Sequence, residues 1–373
     1  MRIAIIGTRG IPAKYGGFET FAEEIATRMA ERGHSVVVYG RRAYYSESER
    51  KRFYKGVRTI YLNALGIRQA ETFSSGLMSV LHLLLTGKSE AAIICNCANG
   101  FHIPLLKLAG VNVLINVDGL EWQRDKWGRL SKMMHRLAER ITVWTGRRNI
   151  VVDSAAIGDY YRTRYGIAPH FISYGAPVLP RPAGGDVPPA LRRIGVEPGG
   201  YLLQITRFVP ENNVLPIVEA FRRSPLQKKL VLVGGDTART PYVRRIADLA
   251  ASDARIVLPG FIYDSDDIAA LLTHAWAYIH GNEVGGTNPA LLQAMGAGNA
   301  VLAADTVFNR EVLGPDGMFF QKNAADVREK LARMAQLSKN DMLEMGRRAQ
   351  TRVAARYNWD DVTDKYLREL QAE

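Results

Sequence analysis

The richest chemistry lies in one glycine turn. The apolar run Ala275–His280 leads into Gly281–Asn288, and Pro289–Met295 follows with helical spacing. Pro289 suits a first helical position, where its missing N–H costs nothing. Asn288 suits the cap before it. Gly285 and Gly286 let the backbone approach a ligand with no Cβ in the way. Free amides and the positive end of a helix dipole then meet at Gly285, Gly286, Thr287 and Asn288, a place suited to a phosphate. Gly16 and Gly17 offer a similar device after the first apolar run. Their loop, Gly7–Thr20, also carries Arg9 and Lys14. It matches neither the dinucleotide fingerprint nor a P-loop. It reads as a flexible lid that touches phosphate and an incoming acceptor, or as an ordinary strand-to-helix loop. Arg207 follows the run Tyr201–Ile205, and its planar fork suits phosphate oxygens. A structural salt bridge is the plainer role. A diphosphate ligand held between two halves of the chain is the hypothesis these residues raise.

Alternating strands and helices must position these loops. In the first half, strands are expected at Ile3–Ile6, Ser35–Tyr39, Val57–Leu62, Ala91–Cys95, Val113–Val117, Ile150–Val152 and Phe171–Ser173. Helices are expected at Phe18–Arg32, Ser74–Thr86, Phe101–Ala109 and Lys126–Thr145. Prolines at 177, 180, 182, 188, 189 and 198 mark a linker. The second half has strands at Tyr201–Ile205, Leu230–Val233, Ile256–Leu258, Ala277–Ile279 and Ala300–Ala303. Its helices are Val214–Arg223, Tyr242–Ala251, Asp266–His274 and Pro289–Ala297. Helices at Ala324–Leu337, Lys339–Arg356 and Trp359–Leu370 close the chain. This alternation predicts α/β domains on parallel sheets covered on both faces, with ligands at the carboxyl ends of strands. Another close-approach turn is Gly234–Asp236.

Composition sets limits. The 373 residues are 47% hydrophobic, which favours two domains and excludes global disorder. Cys95 and Cys97 flank Asn96 and are expected on one strand face as buried thiols, since a metal site wants four ligands. Met1 and Arg2 run straight into a strand, so no signal peptide is expected, and the apolar stretch 76–86 is too short to span a bilayer. These features suggest a cytoplasmic protein. The net charge of +12 favours anionic partners. Lys132, Arg136 and Arg140 share a helical face near Trp122, Trp127 and Trp144, within the basic run Arg124–Arg148. That face is either a peripheral contact with an anionic membrane or a solvated surface over core tryptophans. Nucleic acid is not an expected partner, because the basic residues are not interleaved with aromatics on a strand.

Taken together, Gly7–Pro12 with Tyr15–Thr20, Asn116–Trp122, Asp153-Ser154, Tyr174–Ala176, Pro210–Asn213, Gly285–Pro289, Phe308–Val312 and Tyr357–Trp359 resemble a bacterial glycosyltransferase of family 4, in its rhamnosyltransferase-like subgroup. The resemblance implies the GT-B architecture: two facing Rossmann-like domains with a nucleotide-sugar donor between them. The expected divisions are an acceptor-binding domain over 1–178, a nucleotide-sugar domain over 179–356, and a crossover helix over 357–373 that packs back on the first domain. It implies retaining, metal-independent transfer of a sugar from a nucleotide-diphosphate donor, with no cofactor. The acceptor is a saccharide, expected to be lipid-linked, at the inner face of the plasma membrane. Asp264–Asp267 has the spelling of a metal motif but reads as helix capping. The leaving diphosphate then falls to amides, helix dipoles and cations.

Two positions depart from the family pattern. A lysine that contacts the diphosphate is replaced by Asn212, and a glutamate that accepts from the ribose hydroxyls is replaced by Gln293. The second change forfeits a charge-assisted gain of roughly 1–2 kcal/mol. Where the family often has a histidine, Asp118 stands. It suits a sugar hydroxyl, positive charge at the anomeric carbon, or a turn cap, with Glu121 as a second candidate. His280 at its strand end is either a cleft residue or structural. The alternatives are a nucleotide-sugar epimerase of the same fold and a non-catalytic partner in a glycan-assembly complex.

Overall fold

Continuous runs of branched apolar residues make strands that must be buried on both faces, and the chain builds two sheets from them. The computed structural model describes residues 1–14, 16–65, 71–87, 89–123, 128–182, 184–236, 240–315 and 317–372. The chain divides into two units, Met1–Tyr174 with Trp359–Glu373, and Gly175–Asn358.

In chain order the first unit contains β1 (Arg2–Ile6), α1 (Gly17–Glu31), β2 (Ser35–Arg41), β3 (Phe53–Tyr54), β4 (Val57–Leu62), α2 (Glu71–Thr86) and β5 (Ala91–Cys95). Then come α3 (Ile103–Leu108), β6 (Asn112–Asn116), α4 (Arg129–Gly146), β7 (Ile150–Val152), α5 (Ala155–Tyr165) and β8 (His170–Phe171). The strand order is β3-β4-β2-β1-β5-β6-β7-β8. All pairs are parallel except β3 with β4. That hairpin departs from the all-parallel expectation. Lys55 and Gly56 both have positive φ there, the backbone of a tight two-residue hairpin turn. A lysine is an unusual residue for this conformation, and a two-residue strand leaves little pattern.

The second unit contains α6 (Pro189–Ile194), β9 (Tyr201–Arg207), α7 (Val214–Arg222), β10 (Lys229–Gly235), α8 (Pro241–Ala251), β11 (Ile256–Gly260), α9 (Ser265–His274) and β12 (Ala277–His280). It continues with α10 (Pro289–Gly296), β13 (Val301–Ala304), α11 (Val307–Leu313), β14 (Met318–Phe320), α12 (Ala324–Ala335) and α13 (Lys339–Arg356). Its sheet runs β11-β10-β9-β12-β13-β14, parallel throughout. The proline-rich stretch expected as a linker is part of this unit. The Leu179 amide donates to Gly296, Arg181 reaches the Ala275 carbonyl at 2.8 Å, and Gln350 donates to the Leu179 carbonyl.

The last helix, α14 (Trp359–Gln371), packs on the first unit. Trp359, Val362, Tyr366 and Leu370 are buried at helical spacing. The Tyr366 ring lies 5.2 Å from Phe21 of α1. Asn112 and Asn116 of β6 reach the Leu370 carbonyl and the Tyr366 hydroxyl, each at 2.9 Å. Burying Tyr366 and Leu370 contributes roughly 1.5–3 kcal/mol apiece. The ion pairs of Arg32 with Asp360 and Asp364 are exposed and add little.

The cysteines do not share a strand face. Cys95 ends β5, while Cys97 begins a 3-10 helix over Cys97–His102. The break comes at Asn96, whose φ of 75° leaves extended backbone and whose side chain caps the Ala98 amide. Burial pushes the Cys97 thiol up to about 12 and raises Cys95 as well.

Candidate functional site

Parallel strands carry their following loops to one end of each sheet. In the first unit β1, β5 and β6 are neighbours, so the loops at 7–16, 96–102 and 117–123 lie side by side. Gly7 has φ +97°, and a Cβ there would strike the Cys95 carbonyl oxygen. Only glycine allows that close approach.

The loop after β1 reads either as a flexible lid or as an ordinary strand-to-helix loop, and two carboxylates of α1 fasten it. Glu19 accepts from the Arg9 amide at 2.8 Å, and Glu23 accepts from the Ala13 amide at 2.6 Å. Glu19 is the third residue after Gly16, where an acidic side chain folds back over a helix start. A Cβ at Gly16 would collide with its carboxylate. The anion-attracting end of α1, at Gly16 and Gly17, thus already holds an internal carboxylate. Lys14 pairs with Glu49 at 2.7 Å and lies 4.9 Å from the Tyr45 ring centre. Its hydrogen bond holds the Glu49 carboxyl down at about 2. The Arg9 guanidinium rests over Tyr44, 4.7 Å from the ring centre. Tyr15 lies outside the described residues.

Asp118 and Glu121 both stand in the turn after β6. Asp118 is half-buried with φ 58°, and its amide donates to Asn116 Oδ1 at 3.0 Å. Left-handed backbone costs a non-glycine residue about 1–2 kcal/mol, least for Asp and Asn. Glu121 is half-buried at the start of a 3-10 turn.

In the second unit, Arg207 is the last residue of β9 and Gly281–Asn288 follows the adjacent β12. Several bonds join these two loops. Thr206 donates to Asn282 Oδ1 at 2.9 Å, and the Glu283 amide donates to the Glu211 carbonyl at 3.0 Å. Asn213 donates to the Gly281 carbonyl at 2.8 Å and to Glu283 at 2.7 Å. Lys322 closes on Glu283 from the other side at 2.7 Å. The turn is therefore tied to the loop after β9 and to Lys322. Asn288 caps the Ala290 amide, and Pro289 opens α10. Gly285 has φ 135°, and the space its Cβ would take is open. The amides of Gly285 and Gly286 have no hydrogen-bond acceptor among the described residues. Arg207 is exposed and makes no ion pair among them. Thr287 is buried and Gln293, one turn into α10, is half-buried.

Asn212 is differently placed. It is buried, and its amide donates to the Arg207 carbonyl at 2.9 Å, closing the loop beneath the arginine. His280 is wholly buried with an unpartnered Nε2, and burial lowers its pKa to about 3. It is a neutral core residue. Asp264 caps α9 through the Asp266 and Asp267 amides, as the capping pattern predicts. Among the described residues no three His, Cys, Asp or Glu side chains gather as metal ligands. Gly234 meets the close approach expected of it, but its neighbour is the chain's own Thr206 carbonyl. Residues 237–239 lie outside the described residues.

Three acidic residues escaped the sequence reading. Glu19 and Glu23 carried a signal, being acidic residues four apart just after Gly16-Gly17. Glu211 carried only its place in the Pro210–Asn213 motif. It is buried with both carboxylate oxygens lacking a hydrogen-bond partner among the described residues.

Comparison with known proteins places this geometry. Residues 193–352 match the family model described as glycosyl transferases group 1. Residues 1–177 match a domain of unknown function, DUF1972. No curated protein matches the chain. Among solved structures, sucrose-phosphate synthase from Thermosynechococcus elongatus superposes with a TM-score of 0.81 at 18% identity, over 98% of this chain and 97% of that one. Anabaena HepE in complex with UDP-glucose gives 0.80 at 14% identity over 100% of both chains. The catalytic domain of starch synthase IV from Arabidopsis thaliana, bound to ADP and acarbose, gives 0.74 at 13% identity over 99% and 98%. The fold is thus GT-B, two α/β units on largely parallel sheets.

Proposed function

We propose that the protein is a glycosyltransferase that moves a hexose or deoxyhexose, rhamnose being the candidate, from a nucleotide-diphosphate donor to a lipid-linked saccharide in bacterial polysaccharide synthesis. One observation carries this reading. Inside the region matching glycosyl transferases group 1, two glycine amides without acceptors among the described residues stand beside the start of α10, and the strand next to theirs ends in an exposed arginine. The matched structure solved with UDP-glucose supports a nucleotide-sugar donor.

In this reading the Gly285–Asn288 amides and the α10 dipole meet the diphosphate, and Arg207 neutralises its growing charge. The bond from the anomeric carbon to the phosphate oxygen breaks. The acceptor hydroxyl oxygen bonds to that carbon, and its proton passes to the departing phosphate oxygen. This retaining course needs neither a separate base nor a metal. Asp118 holds a sugar hydroxyl or the charge at the anomeric carbon, with Glu121 in support. Gln293 accepts from the ribose through its carbonyl. Arg9 meets the acceptor side, at the inner face of the plasma membrane.

The test is to incubate the protein with UDP-, GDP- and dTDP-sugars and a lipid-linked saccharide, while measuring thermal stabilisation by each nucleotide. Transfer with retained anomeric configuration is expected. No transfer with any donor, together with no stabilisation by any nucleotide, rejects the reading. Binding that appears only in Gln293→Glu points instead to a non-catalytic partner.

A further inference from the structure

The first unit leaves a large apolar face uncovered. On α4, Leu130, Met133, Met134, Leu137 and Trp144 are all exposed, Trp144 to 80%. At 100° per residue these five fall within an arc of about 100°. A helix that packs on its own sheet hides such a stripe, and this one turns it outward. Arg129, Lys132, Arg136 and Arg140 occupy the neighbouring arc of the same helix. Arg147 and Arg148 follow its end, both exposed.

The face continues onto α2 and α3. Met78, Leu81 and Leu85 on α2 are exposed, Leu85 to 88%, and so are Leu105 and Leu108 on α3, Leu108 to 87%. Close packing joins these helices through the 97–102 turn. A Cβ at Gly76 of α2 would strike Asn99, and a Cβ at Gly100 would strike Thr142 of α4. Thr142 donates to the Cys97 carbonyl at 2.9 Å. Exposed apolar patches of this extent mark interaction surfaces.

Charge identifies the occupant. The three helices carry two carboxylates in all. Glu71 pairs with Arg41. Glu139 is buried and accepts from Trp122 Nε1 at 3.0 Å and from the Tyr160 hydroxyl at 2.7 Å. Among the described residues, the exposed charges on these three helices are therefore of one sign. A second copy seated face to face would set arginines against arginines. An anionic bilayer satisfies both parts, with acyl chains over the leucines and headgroups against the guanidiniums.

We infer that α2, α3 and α4 together form a monotopic docking face for an anionic lipid surface, with Leu85, Leu108, Met134, Leu137 and Trp144 inserted and the α4 cations at headgroup level. Trp144 is the tryptophan that inserts. Trp122 is held inward by Glu139 and covered by Arg136, 4.5 Å from its ring centre. Trp127 lies outside the described residues. The inference deepens the membrane-side reading above, and rests on it only for the lipid-linked acceptor.

The test is co-sedimentation of the full chain with vesicles of phosphatidylcholine alone or with 30 mol% phosphatidylglycerol (~, a typical anionic fraction). Binding is expected on the anionic vesicles and to weaken with salt. The double variants Leu85→Glu/Leu108→Glu, Met134→Glu/Leu137→Glu and Arg129→Gln/Arg140→Gln should each lower the partition at least about tenfold. Their circular dichroism and nucleotide-induced thermal shift should match the parent. Equal sedimentation on both vesicles, or none on either, overturns the inference. So does parent-like binding by Leu85→Glu/Leu108→Glu, which confines the contact to α4. A concentration-dependent dimer that these variants abolish overturns it in favour of a second copy. Lost vesicle binding with an intact nucleotide shift in the parent rejects the docking face alone. Intact vesicle binding with no nucleotide shift rejects the transferase reading alone.

Discussion

Replacing Arg207 with glutamine separates binding from folding at one position. The side chain is exposed and has no ion pair among the described residues, while its backbone carbonyl is held by Asn212. Truncating an exposed side chain of this kind changes stability by less than about 0.5 kcal/mol. A guanidinium on a diphosphate is worth about 1.5–3 kcal/mol, so the nucleotide dissociation constant should rise about ten- to hundredfold. At a nucleotide concentration one hundred times the parent's constant, the parent gains about 2.7 kcal/mol. A variant that binds thirtyfold more weakly gains about 0.9 kcal/mol under the same conditions. For a unit of this size the nucleotide-induced melting shift should then fall from roughly 5–10 °C to roughly 2–3 °C. Calorimetry and thermal melts with UDP, GDP and dTDP measure both quantities. An unchanged dissociation constant with a lowered unliganded melting point would refute the reasoning, because Arg207 would then be a structural residue. Lys14→Gln is the contrast. Its charge is already spent on Glu49, so its effect on nucleotide binding should be the smaller one.

The remaining predictions concern the second unit's core. Gly234→Ala puts a Cβ against the Thr206 carbonyl at φ +125°, and should cost about 2–4 kcal/mol, seen as a lower urea midpoint; an unchanged midpoint contradicts the register of β9 with β10. His280 has its pKa lowered by burial from 6.5 to about 3. From pH 6.5 down to about 3 the unfolded chain binds a proton that the folded chain refuses. Stability contributed by this group therefore falls with pH across that window, by about 1.4 kcal/mol per unit. His280→Gln should flatten the stability profile below pH 6.5, and a profile as steep as the parent's would place the proton elsewhere.

How much of this was legible beforehand depended on whether the signal was local. Val57–Leu62, Ala91–Cys95, Ile150–Val152 and Lys339–Arg356 match their expected bounds, because each apolar pattern is complete within its own segment. The caps at Asn288 and Asp264 were legible for the same reason. α5 and α11 were not. α5 has tyrosines and arginines around it and little amphipathic contrast, and α11 is only seven residues long.

Residue type and spacing alone determined that two α/β units exist, that a proline-started helix follows a glycine turn, and that a basic stretch carries tryptophans. Tertiary structure decided which of these groups are still available for a ligand. Glu19 already sits against Gly16, Glu49 already neutralises Lys14, and Asn212 is turned under the Arg207 carbonyl. Gly285, Gly286 and Arg207 keep donors without protein partners among the described residues. Trp122 points in and Trp144 points out. Such pairings join residues far apart in the chain and depend on which strands lie side by side. A pattern read along the chain shows which donors and acceptors exist, and only the folded sheet shows which ones have already satisfied each other.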